Sequence, residues 1–260
     1  MVKQILKKIK NKKWLSLCLV LGLTFLVATL SCHPMFKAGS LDKLLNRSFV
    51  EQIEAENKYP IVLMKKSYVE MKNVPNVEGL MGEIDKYRNK WTTVHNLPIL
   101  EEQFYFSFYR ESAVTTFNAK SRGFDVSYMP GLTEHAQILY GEGYDNYTGD
   151  GIPCVISEAA MDMYGLVVGE EVRFEEWKDS NGETLVLHVA GVFREKDSQD
   201  VFWQYQPNKI RSCIFISEEA FDSLMETSSE DFINYTYYQM PDYRAVTNRN
   251  ADWVKDGVSY

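Results

Sequence analysis

The sequence predicts an α+β fold in which one N-terminal transmembrane helix carries a mixed helix and strand domain on the far side of a membrane. Three observations predict it. Trp14 to Cys32, WLSLCLVLGLTFLVATLSC, is an unbroken uncharged run. From Leu97 onward the texture changes to short runs of β-branched and aromatic residues separated by turn signals. A strand that ends in Ile-Ser-Glu and leads into a helix is written twice, as CVISEAAMDMYG from Cys154 and as CIFISEEAFDSL from Cys213.

These features divide the chain into four segments: 1–13, a basic amphipathic cytoplasmic segment; 14–32, the transmembrane helix; 33–96, a helical stalk that begins the extracytoplasmic domain; and 97–260, its strand-rich core. In the first, Val2, Ile5, Leu6 and Ile9 recur at helical spacing among lysines, the pattern of a helix lying on an anionic membrane surface or of a plain charged leader. The apolar run is about 28 Å long as a helix, one hydrocarbon thickness. Lys3, Lys7, Lys8, Lys10, Lys12 and Lys13 precede it and the first acidic residue is Asp42, so the positive-inside rule leaves the N-terminus cytoplasmic. Trp14 falls at the inner interface. Two other fates share this pattern. A cleaved signal would use Val27-Ala28-Thr29, and a lipoprotein would be modified at Cys32, although Thr29 stands where an apolar branched residue is expected.

After the span, Leu41, Leu44, Leu45, Phe49, Val50 and Ile53 follow a helical period that Pro60 ends. A second helix follows Pro75, with Asn76 as N-cap and Val77, Leu80, Met81 and Ile84 on its apolar face. The runs QFYFSFYR, AVTTF, FDVSYM and HAQILYGEGY read as strands of a sheet. YDNYTGDG, from Tyr144 to Gly151, is a polar loop. Tyr147 and Gly149 occupy places where a calcium loop needs oxygen ligands.

Pro153 to Ile156 is a short strand, Ser157 an N-cap, Glu158 a favourable first-turn charge, and Gly165 a left-handed helix stop with Leu166 folding back. Gly169 turns the chain into a strand over about 172–177. Asn181-Gly182 joins that strand to 184–193 as a hairpin. Ser217, Glu218 and Phe221 then repeat the roles of Ser157, Glu158 and Met161.

Composition narrows function mainly by exclusion. The chain has 260 residues, 45% hydrophobic and 25% charged, as in ordinary globular proteins. A net charge of −8 argues against binding nucleic acid, whose affinity rests on Lys and Arg against phosphates. No phosphate-loop motif occurs, so energy from ATP would have to come from a partner. His33, His95, His135 and His188 lack zinc-ligand spacing, and neither Ser157 nor Ser217 sits in a nucleophile elbow. The sequence therefore offers no catalytic, cofactor-binding or metal-binding residue. Cys154 and Cys213 precede the two repeated helices; neighbouring strands would permit a disulfide, and buried free thiols are the alternative. Asn46, Asn146 and Asn234 head glycosylation triplets, which matter only in a eukaryotic secretory route. The run Phe104, Tyr105, Phe106, Phe108, Tyr109 reads as core and cross-strand packing or as a binding surface.

Taken together, VISEAAMDMYGLVVGEEVRF, LHVAGVFRE and IFISEEAFDSL, behind a membrane span and a helical stalk, resemble the extracytoplasmic core domain of FtsX-like (MacB-type) ABC transporter permeases. Gly165-Leu166, Val168-Gly169-Glu170 and Val189-Ala190-Gly191-Val192-Phe193 carry the resemblance. Gly131-Leu132, Glu134-His135, the strand into Gly141, YYQMPDYRAV and the His33-Pro-Met-Phe exit add to it. The resemblance implies a MacB-like core and a non-enzymatic permease component, without cofactors. Its partners would be an ABC-type ATPase subunit, further permease helices or a second permease chain, and membrane lipid. It departs from the family where further membrane helices are expected, since no apolar stretch of that length follows Asp197. That points to a truncated or split permease, or to a chain ending inside the outer domain. The alternative is a surface-anchored protein or lipoprotein that binds a partner without an ATPase; an extracellular hydrolase lacks a triad or metal cluster.

Overall fold

A computed structural model describes residues 13–56, 58–108, 111–179, 182–203, 210–227 and 231–252. Residues 1–12 of the basic amphipathic segment and Asn181 of the hairpin turn fall outside these residues. The chain is a mixed helix and strand protein with one long N-terminal apolar helix and a sheet domain, as the sequence predicts.

Helix α1, Lys13–Glu56, runs for 44 residues, about 66 Å. Its N-terminal part is the one stretch among the described residues long and apolar enough to cross a membrane, with a mean hydropathy of 2.3 and none of it buried. The helix passes Cys32 and His33 without a break and contains Pro34. The first part of the predicted stalk, 33–56, is therefore the same rod as the apolar run, whereas Leu63–Glu70 within that segment is a strand. The distal third of α1 changes character, because Leu45 and Phe49, one turn apart, pack into the domain against Ile61, Leu97, Tyr243 and Val246.

The domain begins with β1 (Leu63–Glu70) and α2 (Val77–His95). Asn76 caps α2 as its residue type predicts, its Oδ1 accepting the Gly79 N–H at 3.0 Å. Then come β2 (Ile99–Ser107), β3 (Glu111–Thr115), β4 (Asn118–Tyr128), the single turn α3 (Leu132–His135) and β5 (Ala136–Gly141). The repeated unit follows as β6 (Ile152–Ser157) with α4 (Glu158–Tyr164). The hairpin β7 (Glu171–Lys178) and β8 (Thr184–Glu195) comes next, then the second unit, β9 (Cys213–Phe215) with α5 (Glu218–Thr227), and last β10 (Phe232–Pro241). Each repeated serine caps its helix: Ser157 Oγ accepts from Ala160 N at 3.1 Å and Ser217 Oγ from Ala220 N at 3.3 Å. Gly165 closes α4 at φ 67°, the left-handed region that a side chain resists.

All ten strands join in one sheet. At the end near α1, β1 pairs β10 and β10 pairs β2, antiparallel throughout. Beyond them the pairings close on themselves: β4 to β3, β3 to β7, β7 to β8, β8 to β6, β6 to β9, and β9 back to β4. This six-stranded ring removes the exposed edges that an open sheet would leave. Inside it, Ala113, Phe124, Val126, Cys154, Ile156, Val172, Phe174, Leu185, Leu187 and Ile214 meet in the main core, to which Leu80 and Ile84 of α2 and Phe221 and Leu224 of α5 also belong. The opposite face packs Tyr105, Val155, Phe193, Cys213 and Phe215 under Phe202 and Trp203. The aromatic run thus divides by alternation: Phe104, Phe106 and Phe108 turn to one core and Tyr105 to the other, while Tyr109 lies outside the described residues.

Candidate functional site

Among the described residues there is no group of three or more His, Cys, Asp or Glu placed to hold a metal. Several residues that carry chemistry by type serve the fold. The Ser157 hydroxyl caps α4 and donates to Ile210 O at 3.0 Å. Among the described residues Cys154 and Cys213 carry no disulfide. Their strands are neighbours, but Val155 faces Phe215 and Ile156 faces Ile214, so the two cysteines are not opposed and they enter different cores. Burial pushes the Cys213 thiol up to about 11 and raises Cys154 further. Asn234 lies inside the sheet between Tyr68 and Ser107, whereas Asn146 is exposed.

His135, read from the sequence only as part of a fold motif, ties down the segment before Trp203. Its Nδ1 lies 2.6 Å from Asp200 Oδ2 and its ring stacks on Phe202 at 4.0 Å, while Trp203 Nε1 donates to its carbonyl at 3.0 Å. Nearby Glu101 is raised above the usual carboxylate range by burial, with Asp200 adding and His135 opposing. The segment also borders a cavity of about 340 Å³ lined by Ser157, Phe193, Arg194, Glu195 and Trp203. Among the described residues neither repeated serine bonds to a histidine.

What the fold builds with more care are two junctions along its length. At the base, Phe49 and Tyr59 both meet the Tyr243 ring edge-on with centroids 5.8 Å apart, and Tyr59 Oη donates to Pro241 O at 2.7 Å. Asp42 of α1 accepts the Asn248 N–H at 2.6 Å, and Ala251 packs in the same cluster. Residues 243–251 therefore bring the chain back against α1, about ten residues beyond its apolar run.

Above this base, α2 is fastened to the sheet through Glu102. Its carboxylate accepts from Arg88 Nε at 3.0 Å and Nη2 at 2.5 Å, and from the Tyr237 hydroxyl. Arg88 also reaches Asp85 at 3.1 Å, and Trp91 stacks on Tyr237 at 5.5 Å. Burial works against the Glu102 charge, but Arg88, Tyr237 and Gln239 outweigh it and hold the group below its ordinary value. Sequence periodicity found the apolar face of α2 and missed this polar lock, because Arg88 and Glu102 meet only once β2 has turned back beneath the helix.

No family model matches the chain, and no curated protein matches it either. Its fold is similar to a domain of a protein assigned as a permease from Porphyromonas gingivalis, at 15% identity, with 74% of this chain and 78% of that one covered and a TM-score of 0.37. It is also similar to the extracellular domain of the noncanonic ABC-type transporter YknZ from Gram-positive bacteria, at 13% identity, 76% and 88% coverage, and a TM-score of 0.34. At these values neither likeness assigns the chain to a family.

Proposed function

We propose that this chain is a membrane-anchored permease component of an ABC transporter of the FtsX/MacB type, not itself an enzyme. Its outer domain would couple ATP hydrolysis by a separate ATPase subunit to export or to control of a partner outside. The observation that carries the reading is the continuity of α1 from its apolar run into the Leu45, Phe49 and Tyr243 junction. A rod seated in a bilayer and packed at its other end into a domain converts a tilt inside the membrane into displacement of that domain. A flexible tether would not. The return of residues 243–251 to the same rod supports the reading, since a second segment of the domain then grips the anchor. The structural motifs VISEAAMDMYGLVVGEE and LHVAGVF agree with it at the level of resemblance.

The test is cross-linking in native membranes with the tagged full chain, followed by mass spectrometry of what is captured and of the N-terminus. Recovery of an ABC-type ATPase with an intact Met1–Cys32 segment is the expected result. A mature chain beginning at a lipidated Cys32, with no ATPase captured, would replace this reading with that of a surface lipoprotein.

A further inference from the structure

The bare apolar surface of α1 does not stop at Cys32. Met35 and Phe36 are 74% and 78% exposed, and Lys37 is the first charged residue after Lys13. Trp14 to Phe36 makes about 34 Å of helix, which a hydrocarbon core of roughly 30 Å accommodates with a modest tilt. Lipid is then the cover for Met35 and Phe36. The outer edge of the hydrocarbon lies near Phe36, about one helical turn beyond Cys32.

That boundary brings the base of the domain down to the membrane. Asp42 follows Phe36 by about 9 Å along the helix, while the headgroup layer adds roughly 5–8 Å beyond the hydrocarbon. The Asn248 N–H donates to Asp42 Oδ1 at 2.6 Å, so the returning segment 243–251 is held at the same height. Lys43 and Arg249 stand next in sequence to the two residues of this bond, one on each segment, and both are exposed. Lys37 is exposed too, between Phe36 and the bond.

The other cations of this base are already matched. Arg47 Nε lies 2.8 Å from Glu51, and Arg244 Nε lies 2.8 Å from Asp242. Among the described residues Lys37, Lys43 and Arg249 form no ion pair. Of the acids closest to them in sequence, Asp42 is spent on Asn248, and Asp252 is exposed. The whole chain carries a net charge of −8 and its first lysines precede the span, so the part beyond the span is more acidic still. Such a body is repelled by an anionic membrane. Three unmatched cations stand where it comes nearest to one.

We infer that the base of the domain binds lipid headgroups, with Lys37, Lys43 and Arg249 reaching the phosphates of the leaflet from which α1 emerges. Their aliphatic stems lie along the headgroup layer and their charged ends meet phosphate, which Arg249 can take through two oxygens at once. Anionic lipid strengthens the contact and salt weakens it. Held by α1 and by the headgroups beneath it, the domain keeps one lean relative to the bilayer. The inference rests on the proposed function only in placing α1 across a membrane, and it requires no ATPase.

The probe is a nitroxide at Asn248→Cys, in the full chain with Cys18→Ser and Cys32→Ser, placed in nanodiscs that contain a trace of a lipid whose headgroup chelates nickel. Relaxation of the nitroxide by that nickel reads its height above the headgroups. A second nitroxide, at Phe25→Cys, is challenged with a water-soluble nickel complex and reads whether α1 lies in the bilayer. The Phe25 label should be shielded, and the Asn248 label should relax about twofold more in phosphatidylglycerol discs than in phosphatidylcholine discs. Lys37→Gln with Lys43→Gln and Arg249→Gln should remove that difference, and so should raised salt. All three side chains are exposed, so the triple variant should fold, which its circular dichroism checks. Equal relaxation in the two lipids, or a difference that survives the triple substitution, overturns the inference and leaves the ATPase cross-linking result untouched. A Phe25 label open to the water-soluble complex overturns the anchoring on which both readings rest.

Discussion

Asp222 of α5 accepts the backbone N–H of Val77, the first residue of α2, at 2.7 Å. One helix thus caps another from a position 145 residues away in the chain, adding to the local cap by Asn76. Orphan N–H groups at a helix start are normally served by a neighbour in sequence, so the bond fixes α2 and α5 against each other as well as stabilising α2.

Replacing Asp222 by Ala should cost about 1 kcal/mol, the usual value of a cap. Asp222→Asn, which keeps an acceptor, should cost less. The acid carries a raised pKa, first from burial and then from Glu218, Glu226 and Glu219, with the Val77 bond opposing. A folded value above the unfolded one means that the folded chain binds the extra proton. Its contribution therefore improves as pH falls from neutrality to just above the ordinary aspartate range, and Asn abolishes that slope. Urea unfolding of the full chain in micelles at several pH values measures both effects.

The Arg88 and Glu102 pair should behave in the opposite sense. Glu102 is held below its ordinary value, so its contribution is complete at neutral pH and is lost as pH falls through that depressed value. Arg88→Ala and Glu102→Ala should each destabilise by about 1–2 kcal/mol, discounted for the partial exposure of both partners. A double-mutant cycle should return a coupling near 1 kcal/mol. A coupling indistinguishable from zero would reduce the pair to surface decoration.

Phe49→Ala should release the end of α1 from the domain. The cost is about 1–2 kcal/mol for a half-buried aromatic, and hydrogen exchange should speed up at residues 42–53 and 243–251 while the ring strands stay protected. Uniform acceleration across the domain would mean that the base is part of the cooperative core, not a joint.

Cys154 and Cys213 should resist maleimide in the folded protein and react after denaturation, since burial raises both thiols and removes them from reagent. Mild oxidation should leave no bond between them. A disulfide joining the two would contradict the register of β6 and β9.

Much of this architecture could be read before folding. Ser157 and Ser217 declared their helices because an N-cap works through a neighbouring N–H, and Gly165 declared a stop because a left-handed residue is a local requirement. Asn181-Gly182 announced the hairpin; the strands on both sides pair as expected, with 180 and 181 outside the described residues. What could not be read was non-local. Nothing in CIFIS says that β9 pairs β4 in parallel and β6 in antiparallel fashion and so closes a ring. The candidate site was invisible for the same reason. Phe117 and Val167 are ordinary residues in two separated turns, and only the Glu170 carboxylate, which accepts the N–H of each, joins them.

Strand β4 pairs with β2 at Tyr128 and Ser127 and with β3 from Phe124 down to Asn118, so it is a member of both the basal sheet and the ring. Shared in this way, it acts as a girder: the two parts of the domain cannot swivel without tearing its ladder. A displacement delivered where Phe49 meets Tyr243 would then pass to the ring through that shared strand instead of being absorbed at a hinge.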